Sequence, residues 1–265
     1  EEVYADAVMH SFEAEVGATE FESQGMSPAS QDVTIVLSDD DFKPDLEADV
    51  RSWPAFDASR YLPRSGMNER IETNLQAIET MIALRADRSQ VTDDDRHKLL
   101  AYCGWGGASR VFEPTGGDSV AGHRKRLETL LTQEEFNAAR ASVTSAFYTE
   151  PAIIEVIWHM VRKLGFQGGR IVEPAAGSGM FLAHMPPDIA SKSQITAVEI
   201  DAVSAELLEC TFGTLGVNVK HAPIEKSGLA AGSFDLAISN VPFGDHRSLE
   251  TRNVPYKDQS LHNYF

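Results

Sequence analysis

The sequence predicts an α/β fold whose core is a doubly wound, largely parallel β-sheet. Two observations carry the prediction. Four short apolar runs recur between residues 170 and 238, and a helical segment at 202–212 separates two of them. The first run leads directly into a glycine turn, the connection that joins a strand to a helix in such sheets. The strands are therefore expected to run in one direction and to end at a common edge.

The first 60 residues form a strongly acidic segment. They contain 15 Asp and Glu against 3 Lys and Arg, so they carry −12 of the formal net charge of −17. Short apolar pieces such as 33–37 are interrupted by acidic runs, and helical periodicity is weak. This composition predicts a largely irregular, solvated arm at 1–60. A surface that mimics DNA or docks a partner is the open alternative.

Residues 61–145 are predicted to form a helical module. Apolar residues recur at three- and four-residue intervals from 67 to 86, which predicts an amphipathic helix. Thr92 and Thr132 are each expected to open a further helix, because a threonine hydroxyl can cap the amide three residues later. The glycines that begin at Gly104 are expected to end the second helix, since glycine tolerates the left-handed turn.

Residues 146–265 are predicted to form the sheet domain. A helix is expected after Pro151, since proline suits a first helical turn, and Gly165 is expected to follow its end. The chain stops at Phe265 within what resembles a helix start, so the sheet is expected to be cut before its last strands. The four strands are predicted at 171–172, 195–198, 217–220 and 234–238.

The first predicted strand leads into Glu-Pro-Ala-Ala-Gly-Ser-Gly at 173–179. Glycine at Gly177 and Gly179 lets the backbone approach a ligand, because side chains there would fill the space. No Gly-Lys-Ser/Thr sequence follows, which excludes the phosphate loop of that type. Taken alone, the turn is equally well explained as a structural tight turn or a generic nucleotide loop.

Glu199 stands at the end of the second predicted strand, 22 residues after Gly177. A carboxylate at this place can accept both hydroxyl hydrogens of a ribose. Ile200 is then placed to pack on an adenine ring. A solvated charge at a strand end is the alternative interpretation of Glu199.

Asn240-Val241-Pro242-Phe243 follows the fourth predicted strand and suits chemistry on a conjugated amine. The lone pair of such an amine is delocalised and must be freed before it can attack. The Asn240 side-chain oxygen and the Val241 carbonyl can free it by accepting both amino hydrogens. Pro242 would rigidify the turn, and Phe243 would stack on a base flipped from a duplex. A structural proline turn after a buried strand is the alternative.

Together these motifs resemble the amino-group DNA methyltransferases. The resemblance rests on Glu-Pro-Ala-x-Gly-x-Gly at 173–179, Val-Glu-Ile-Asp at 198–201, Asn-x-Pro-Phe at 240–243 and the segment at 146–151. It implies a Rossmann-like sheet that binds S-adenosylmethionine and transfers its methyl group to the exocyclic N6 amine of adenine in DNA. Tyr148 and Thr149 would border the methionine end of this cofactor.

The match is closer to the methyltransferase-helicase fusion proteins of phages, plasmids and conjugative elements, including the phage antirestriction type. It rests on the segments at 102–107, 131–142, 240–245 and 261–265. It implies protection of mobile-element or phage DNA from restriction, with a helicase domain or another protein partner beyond the chain. Two departures are present. Val241 replaces the usual proline, and Glu225 stands one or two positions late for the acid that would read the cofactor adenine.

The resemblance implies two sets of functional residues in this sequence, one catalytic and one that binds the cofactor. The catalytic set is Asn240, Val241, Pro242 and Phe243. The cofactor-binding set is Tyr148, Thr149, Glu173, Pro174, Ala175, Gly177, Gly179, Phe181, Glu199, Ile200, Glu225 and Asn240.

Composition argues against several other classes of protein. No apolar stretch approaches about eighteen residues, and the first residues lack the pattern of a signal peptide. Cys103 and Cys210 have no metal-ligand spacing, so no metal site is predicted. The expected location is the cytoplasm of a bacterial host, or carriage in a phage particle. Two alternatives to DNA methylation stay open: methylation of a protein glutamine, and a non-catalytic antirestriction or interaction module.

Overall fold

The computed structural model describes residues 33–37, 53–61, 66–113, 118–144 and 149–241. Its centre is a five-stranded sheet in the order β1-β5-β2-β3-β4. The strands are β1 (Val33–Leu37), β2 (Arg170–Pro174), β3 (Gln194–Glu199), β4 (Asn218–His221) and β5 (Leu236–Asn240). β2 to β5 run parallel to one another, and β1 pairs antiparallel with β5. The predicted fold class, a Rossmann-like α/β sheet, is confirmed.

Eight α-helices lie within the described ranges, and short 3-10 turns connect several of them. The helices are α1 (Met67–Leu84), α2 (Asp93–Leu100), α3 (Asp118–Leu130), α4 (Gln133–Ala141), α5 (Pro151–Lys163), α6 (Met180–Ala183), α7 (Pro187–Ala190) and α8 (Ala202–Phe212).

The helix starts predicted at Thr92 and Thr132 are confirmed as capping boxes. Each hydroxyl accepts the N–H of the third helical residue, whose carboxylate accepts the threonine N–H in return. The helix predicted after Pro151 is α5, in which this proline occupies the first turn. α2 ends at Leu100, before the expected Gly104, and the sequence predicts no bounds for α3.

The acidic arm is less irregular than predicted where the structure describes it. Val33–Leu37 forms β1, in which Val33 lies opposite Asn240. Farther along, the Trp53 ring stacks on Phe212 with 5.8 Å between the ring centroids. Both partners lie far along the chain, so local sequence patterns carry no sign of either contact. The predictions for the rest of the arm lie outside the described residues.

The described residues contain two hydrophobic clusters. One lies around the sheet and includes Trp53, Trp158, Ile171, Leu208 and Phe212. The other lies among the first helices and includes Ile78, Trp105, Phe136, Val203 and Leu207. α8 supplies residues to both clusters, so it joins the helical segment to the sheet.

An ion pair with a buried carboxylate fixes β5 against β2 at the edge opposite the glycine turn. Asp235 is 6% exposed and receives the Arg170 guanidinium at 2.7 and 3.0 Å. It also accepts the Arg170 backbone N–H at 2.7 Å. These bonds set the register of the two strands. They therefore determine where β5 ends relative to the end of β2.

Within the described ranges, no helix combines the length and the apolar character that a membrane crossing needs.

Candidate functional site

Three polar side chains converge where the parallel strands end. Glu173 stands near the end of β2, Glu199 at the end of β3 and Asn240 at the end of β5. β2 is hydrogen-bonded to both other strands, so these ends share one edge of the sheet. Ligands of open parallel sheets bind at this edge, where the strand order reverses. β2 and its two neighbours form such a switch point.

The turn after β2 has a left-handed backbone at three positions. Ala175, Gly177 and Gly179 have φ values of 57°, 56° and 87°. A Cβ at Gly177 would meet no atom of the described residues within 4 Å, so these residues leave the space above this glycine open. The turn therefore leaves room for a ligand at Gly177.

Gly179 differs from Gly177 in what surrounds it. A Cβ there would lie 2.5 Å from the Phe212 ring and 2.6 Å from Leu208. Both side chains belong to α8. The glycine thus permits close packing of the turn against a helix, and the space that was predicted to admit a ligand is filled by protein.

Glu199 is 7% exposed and holds the glycine turn. Its Oε2 accepts the Gly177 N–H at 2.7 Å, and its Oε1 accepts the Asp201 N–H at 2.8 Å. Burial raises the pKa of Glu199, and these two hydrogen bonds oppose the rise. Each carboxylate oxygen can accept a further hydrogen bond. Glu199 can therefore shape the turn and bind a ligand hydroxyl at once.

Glu173 is more deeply buried than Glu199 and has fewer hydrogen-bond partners. It is 2% exposed, and its Oε2 has no hydrogen-bond partner among the described residues. Burial raises the pKa of this carboxyl well above its usual range, and the neighbouring charge of Glu199 adds to the rise. A buried oxygen without a partner is unusual in a folded protein and suits a ligand donor.

Asn240 and Thr149 meet across the site. The Asn240 Nδ2 donates to the Thr149 Oγ1 at 2.8 Å. The Asn240 Oδ1 is buried and has no partner in the part of the chain that the structure describes. Thr149 is 5% exposed, so the amide is held against a fixed partner. The side chain therefore holds an acceptor that a ligand N–H group could satisfy.

The other predicted residues take varied places. The Ile200 side chain is 66% exposed beside Glu199, whereas Phe181 is 3% exposed and packs in the core. Glu225 lies exposed on the 3-10 turn Ile224–Lys226. Val241 is 3% exposed. The remaining predicted residues lie outside the described ranges; they are Tyr148, Pro242 and Phe243.

Pro174 and Ala175 contribute backbone to the site. The Pro174 carbonyl accepts the hydroxyl of Ser239, which joins the ends of β2 and β5. Ser178, within the glycine turn, is 2% exposed, and its Oγ has no partner among the described residues. Ser178 does not belong to the predicted set, because small polar residues in turns are common and carry little signal.

A crevice of about 30 Å³ adjoins Thr149. It is lined by Tyr61, Leu100, Tyr102, Cys103, Thr149, Glu150, Pro151 and Met180. The helical segment therefore supplies part of the wall beside the site. Five of these residues belong to the segments at 102–107 and 146–151, which meet only through the fold.

No candidate metal centre is present among the residues that the structure describes. Groups of three or more His, Cys, Asp or Glu side chains that could hold a metal ion do not occur there.

Comparison with known proteins finds a curated relative from a phage. It is the Defense against restriction protein B of Escherichia phage P1, which is 27% identical over 199 residues. The alignment covers 74% of this chain and 7% of that protein, so the chain spans a small part of the relative's length. No family model matches the chain.

Two solved structures are similar to the chain at 15% identity. One is a type I restriction-modification system methyltransferase subunit from Streptococcus thermophilus, with a TM-score of 0.37 over 71% of this chain and 46% of that one. The other is a putative class I S-adenosylmethionine-dependent methyltransferase from Listeria monocytogenes, with a TM-score of 0.27 over 58% of this chain and 53% of that one.

Proposed function

We propose that this chain binds S-adenosylmethionine and transfers its methyl group to the N6 amine of adenine in DNA. The observation that carries the proposal is the Asn240 side chain. Its Nδ2 is held by Thr149, whereas its Oδ1 is buried and unpartnered within the described ranges. A buried acceptor without a donor costs about 1 to 3 kcal/mol, which a bound NH2 group would recover.

The residues at the strand ends fit the proposed cofactor. Glu199 keeps acceptor capacity for ribose hydroxyls beyond its two backbone bonds. The exposed Ile200 side chain offers an apolar face for adenine. The buried Oε2 of Glu173 would accept from the amino-acid end. When bound, S-adenosylmethionine would supply an electrophilic methyl group.

The charge of this site favours a cationic cofactor over a phosphate-bearing one. Glu173 and Glu199 are both buried at the edge of the sheet. A phosphate beside two carboxyl groups would be repelled wherever either one is ionised. S-adenosylmethionine carries positive charge and no phosphate.

Asn240 and Val241 would act on the substrate amine. Accepting both amino hydrogens localises the nitrogen lone pair and directs it at the methyl donor. Thr149 would fix the rotation of the Asn240 amide, so that oxygen and not nitrogen faces the substrate. Pro242 and Phe243 would rigidify the turn and stack on the flipped base.

Protection of DNA from restriction inside a bacterial host is the role that we propose for this activity. The phage P1 relative is named for defence against restriction. The chain spans only 7% of that protein. We therefore propose, as part of the same hypothesis, that the substrate is DNA, that a helicase is a partner and that the protein is carried in a phage particle.

The test measures binding and transfer separately. Binding of S-adenosylmethionine is followed by calorimetry, and transfer by labelled methyl incorporation into duplex DNA with and without adenine. We expect Asn240→Ala to retain cofactor binding and to lower transfer by about 100-fold or more, because it removes one positioned acceptor. Asn218→Ala, at an exposed position on β4, is the matched control and should keep both.

The rival functions give different results. Labelling of a glutamine-containing protein in place of DNA would identify a glutamine methyltransferase. Cofactor binding without transfer to either substrate would identify a non-catalytic interaction module. Wild-type transfer that survives Asn240→Ala unchanged would contradict the role proposed for this side chain.

A further inference from the structure

We propose that Glu173 carries a proton in the ligand-free protein and that the cationic amino-acid end of the cofactor displaces this proton to solvent on binding. Glu173 would then act as a positioning residue that selects a cation. This inference rests on the proposed cofactor. It adds an exchange of one proton to the binding step.

Among the described residues, no positively charged side chain forms an ion pair with Glu173. Its side chain is 2% exposed, and its Oε2 lacks a hydrogen-bond partner in the described part of the chain. Glu173 lies opposite Ala197 in the β2–β3 register, so Glu199, two residues later, lies on the same face of the sheet. The charged group that influences Glu173 is therefore another acid.

The two acids differ in how their charge is compensated. Glu199 accepts the backbone N–H groups of Gly177 and Asp201, which stabilise its ionised form. Glu173 has no such bond at Oε2 from the described residues. An isolated buried carboxylate is costly, and a buried acid avoids this cost by staying protonated. Of the pair, Glu173 is therefore the acid that keeps the proton.

The direction of the pKa shift agrees with this assignment. Burial and the charge of Glu199 raise the pKa of Glu173 well above its usual range. The neutral form thus persists at pH values where an exposed glutamate is ionised. The folded ligand-free protein binds this proton more tightly than the unfolded chain, so its stability falls as the pH rises toward the raised pKa.

A cation placed beside Glu173 reverses this balance. The ammonium group of the cofactor would donate a hydrogen bond to the carboxylate and stabilise its charge, while the proton passes to the solvent. If one proton leaves for each cofactor bound, affinity increases about tenfold per pH unit below the raised pKa. Above that pKa, affinity no longer depends on this group.

Calorimetry tests the exchange directly. S-adenosylmethionine is titrated into the full chain at several pH values from 5 to 8, at each pH in two buffers that differ in their heat of ionisation. Below the raised pKa, we expect the binding heat to differ between the buffers by the amount that corresponds to about one released proton, and this difference should shrink above that pKa. Glu173→Gln should remove the difference, whereas Glu134→Gln, at an exposed position on α4, should keep it.

Infrared spectroscopy of the ligand-free protein supplies an independent measurement. A protonated carboxyl has a carbonyl stretch that a carboxylate lacks, and this band should disappear in Glu173→Gln. Binding with the same heat in both buffers at every pH overturns the inference and leaves the proposed cofactor intact. An absence of any binding contradicts the proposed function instead. The infrared result decides the inference even when no cofactor binds. If the ligand-free wild-type protein lacks the carbonyl band of a protonated Glu173, the inference is wrong.

Discussion

The two glycines of the turn after β2 serve different purposes. Gly177 has φ 56°, and a Cβ there would meet no atom of the described residues within 4 Å. Gly179 has φ 87°, and a Cβ there would lie 2.5 Å from the Phe212 ring. The first glycine leaves room for a ligand, and the second leaves room for α8. Their replacement by alanine should therefore separate binding from stability.

We expect Gly177→Ala to lower the free energy of unfolding by only about 1 to 2 kcal/mol, the cost of a left-handed alanine. Cofactor binding should fall much more, because the new methyl group enters the open space. Gly179→Ala should cost about 3 kcal/mol or more, since it adds a steric overlap to the same backbone strain. Urea unfolding gives both stabilities, and calorimetry gives both affinities.

Gly232 supplies the matched glycine control. It lies in the loop that precedes β5 with φ 70°, and a Cβ there would meet no atom of the described residues within 4 Å. Gly232→Ala should lower the free energy of unfolding only by the cost of a left-handed alanine, and cofactor binding should be unchanged. Equal loss of binding in Gly177→Ala and Gly232→Ala would contradict the assignment of Gly177 to the site.

The sequence singles out polar residues at the strand ends but not how each is used. Glu199 and Asn240 could be predicted because their side chains, placed at such ends, match the chemistry of a ribose and of an amine. The packing role of Gly179 and the burial of Phe181 depend on α8 and the core, which lie elsewhere in the sequence. The contact of Asn240 with Thr149 likewise joins distant residues. Such contacts form only once the chain is folded.

Between neighbouring strands, the register of β5 against β2 determines where Asn240 stands. The pair Arg170–Asp235 fixes this register at the start of both strands. Asp235 is buried, whereas the Arg170 side chain is 33% exposed. Removal of Asp235 from this ion pair should therefore lower the free energy of unfolding less than removal of one partner from a fully buried ion pair. Water can solvate the Arg170 guanidinium that remains.

We expect Asp235→Asn to lower the free energy of unfolding by about 2 kcal/mol, since it removes the charge that Arg170 pairs with in a buried position. Asp188→Asn is the matched control. Its pair with Arg162 is about half exposed on both sides, so the loss should be below about 1 kcal/mol. Urea unfolding at pH 7 measures both. Equal losses in the two variants would show that the β2–β5 pair does not fix the strands.

The helices and strands that the sequence predicts well have strong local signals. α8 has the predicted bounds, and the Asp201 side chain caps it by accepting the Ser204 N–H. The bounds of α3 could not be predicted because its residues are mostly polar and charged, with Val120 and Leu127 among its few buried positions. β1 was missed because β5, the strand with which it pairs, lies about 200 residues away along the chain.

Across the chain as a whole, α8 ties the helical segment to the sheet. Leu208 packs in the cluster around the sheet, and Leu207 packs in the cluster among the first helices. The Arg96 side chain of α2 also donates to the Thr211 carbonyl of α8 and to the Thr214 hydroxyl. The sequence predicts separate units at 61–145 and 146–265, and these shared contacts give a way to test that division.

We expect the two clusters to unfold in a single transition, because a helix shared by two cores couples their unfolding. Variants of the full chain that keep one tryptophan report on each core: Trp105 on the helical cluster and Trp158 on the sheet cluster. Leu207→Ala should lower the free energy of unfolding reported by each tryptophan by about 3 kcal/mol, because it leaves a cavity at a fully buried position. Leu164→Ala, at a side chain that is 61% exposed, should leave both within about 0.5 kcal/mol. Loss of the Trp105 signal at lower urea than the Trp158 signal would instead show two domains that unfold independently.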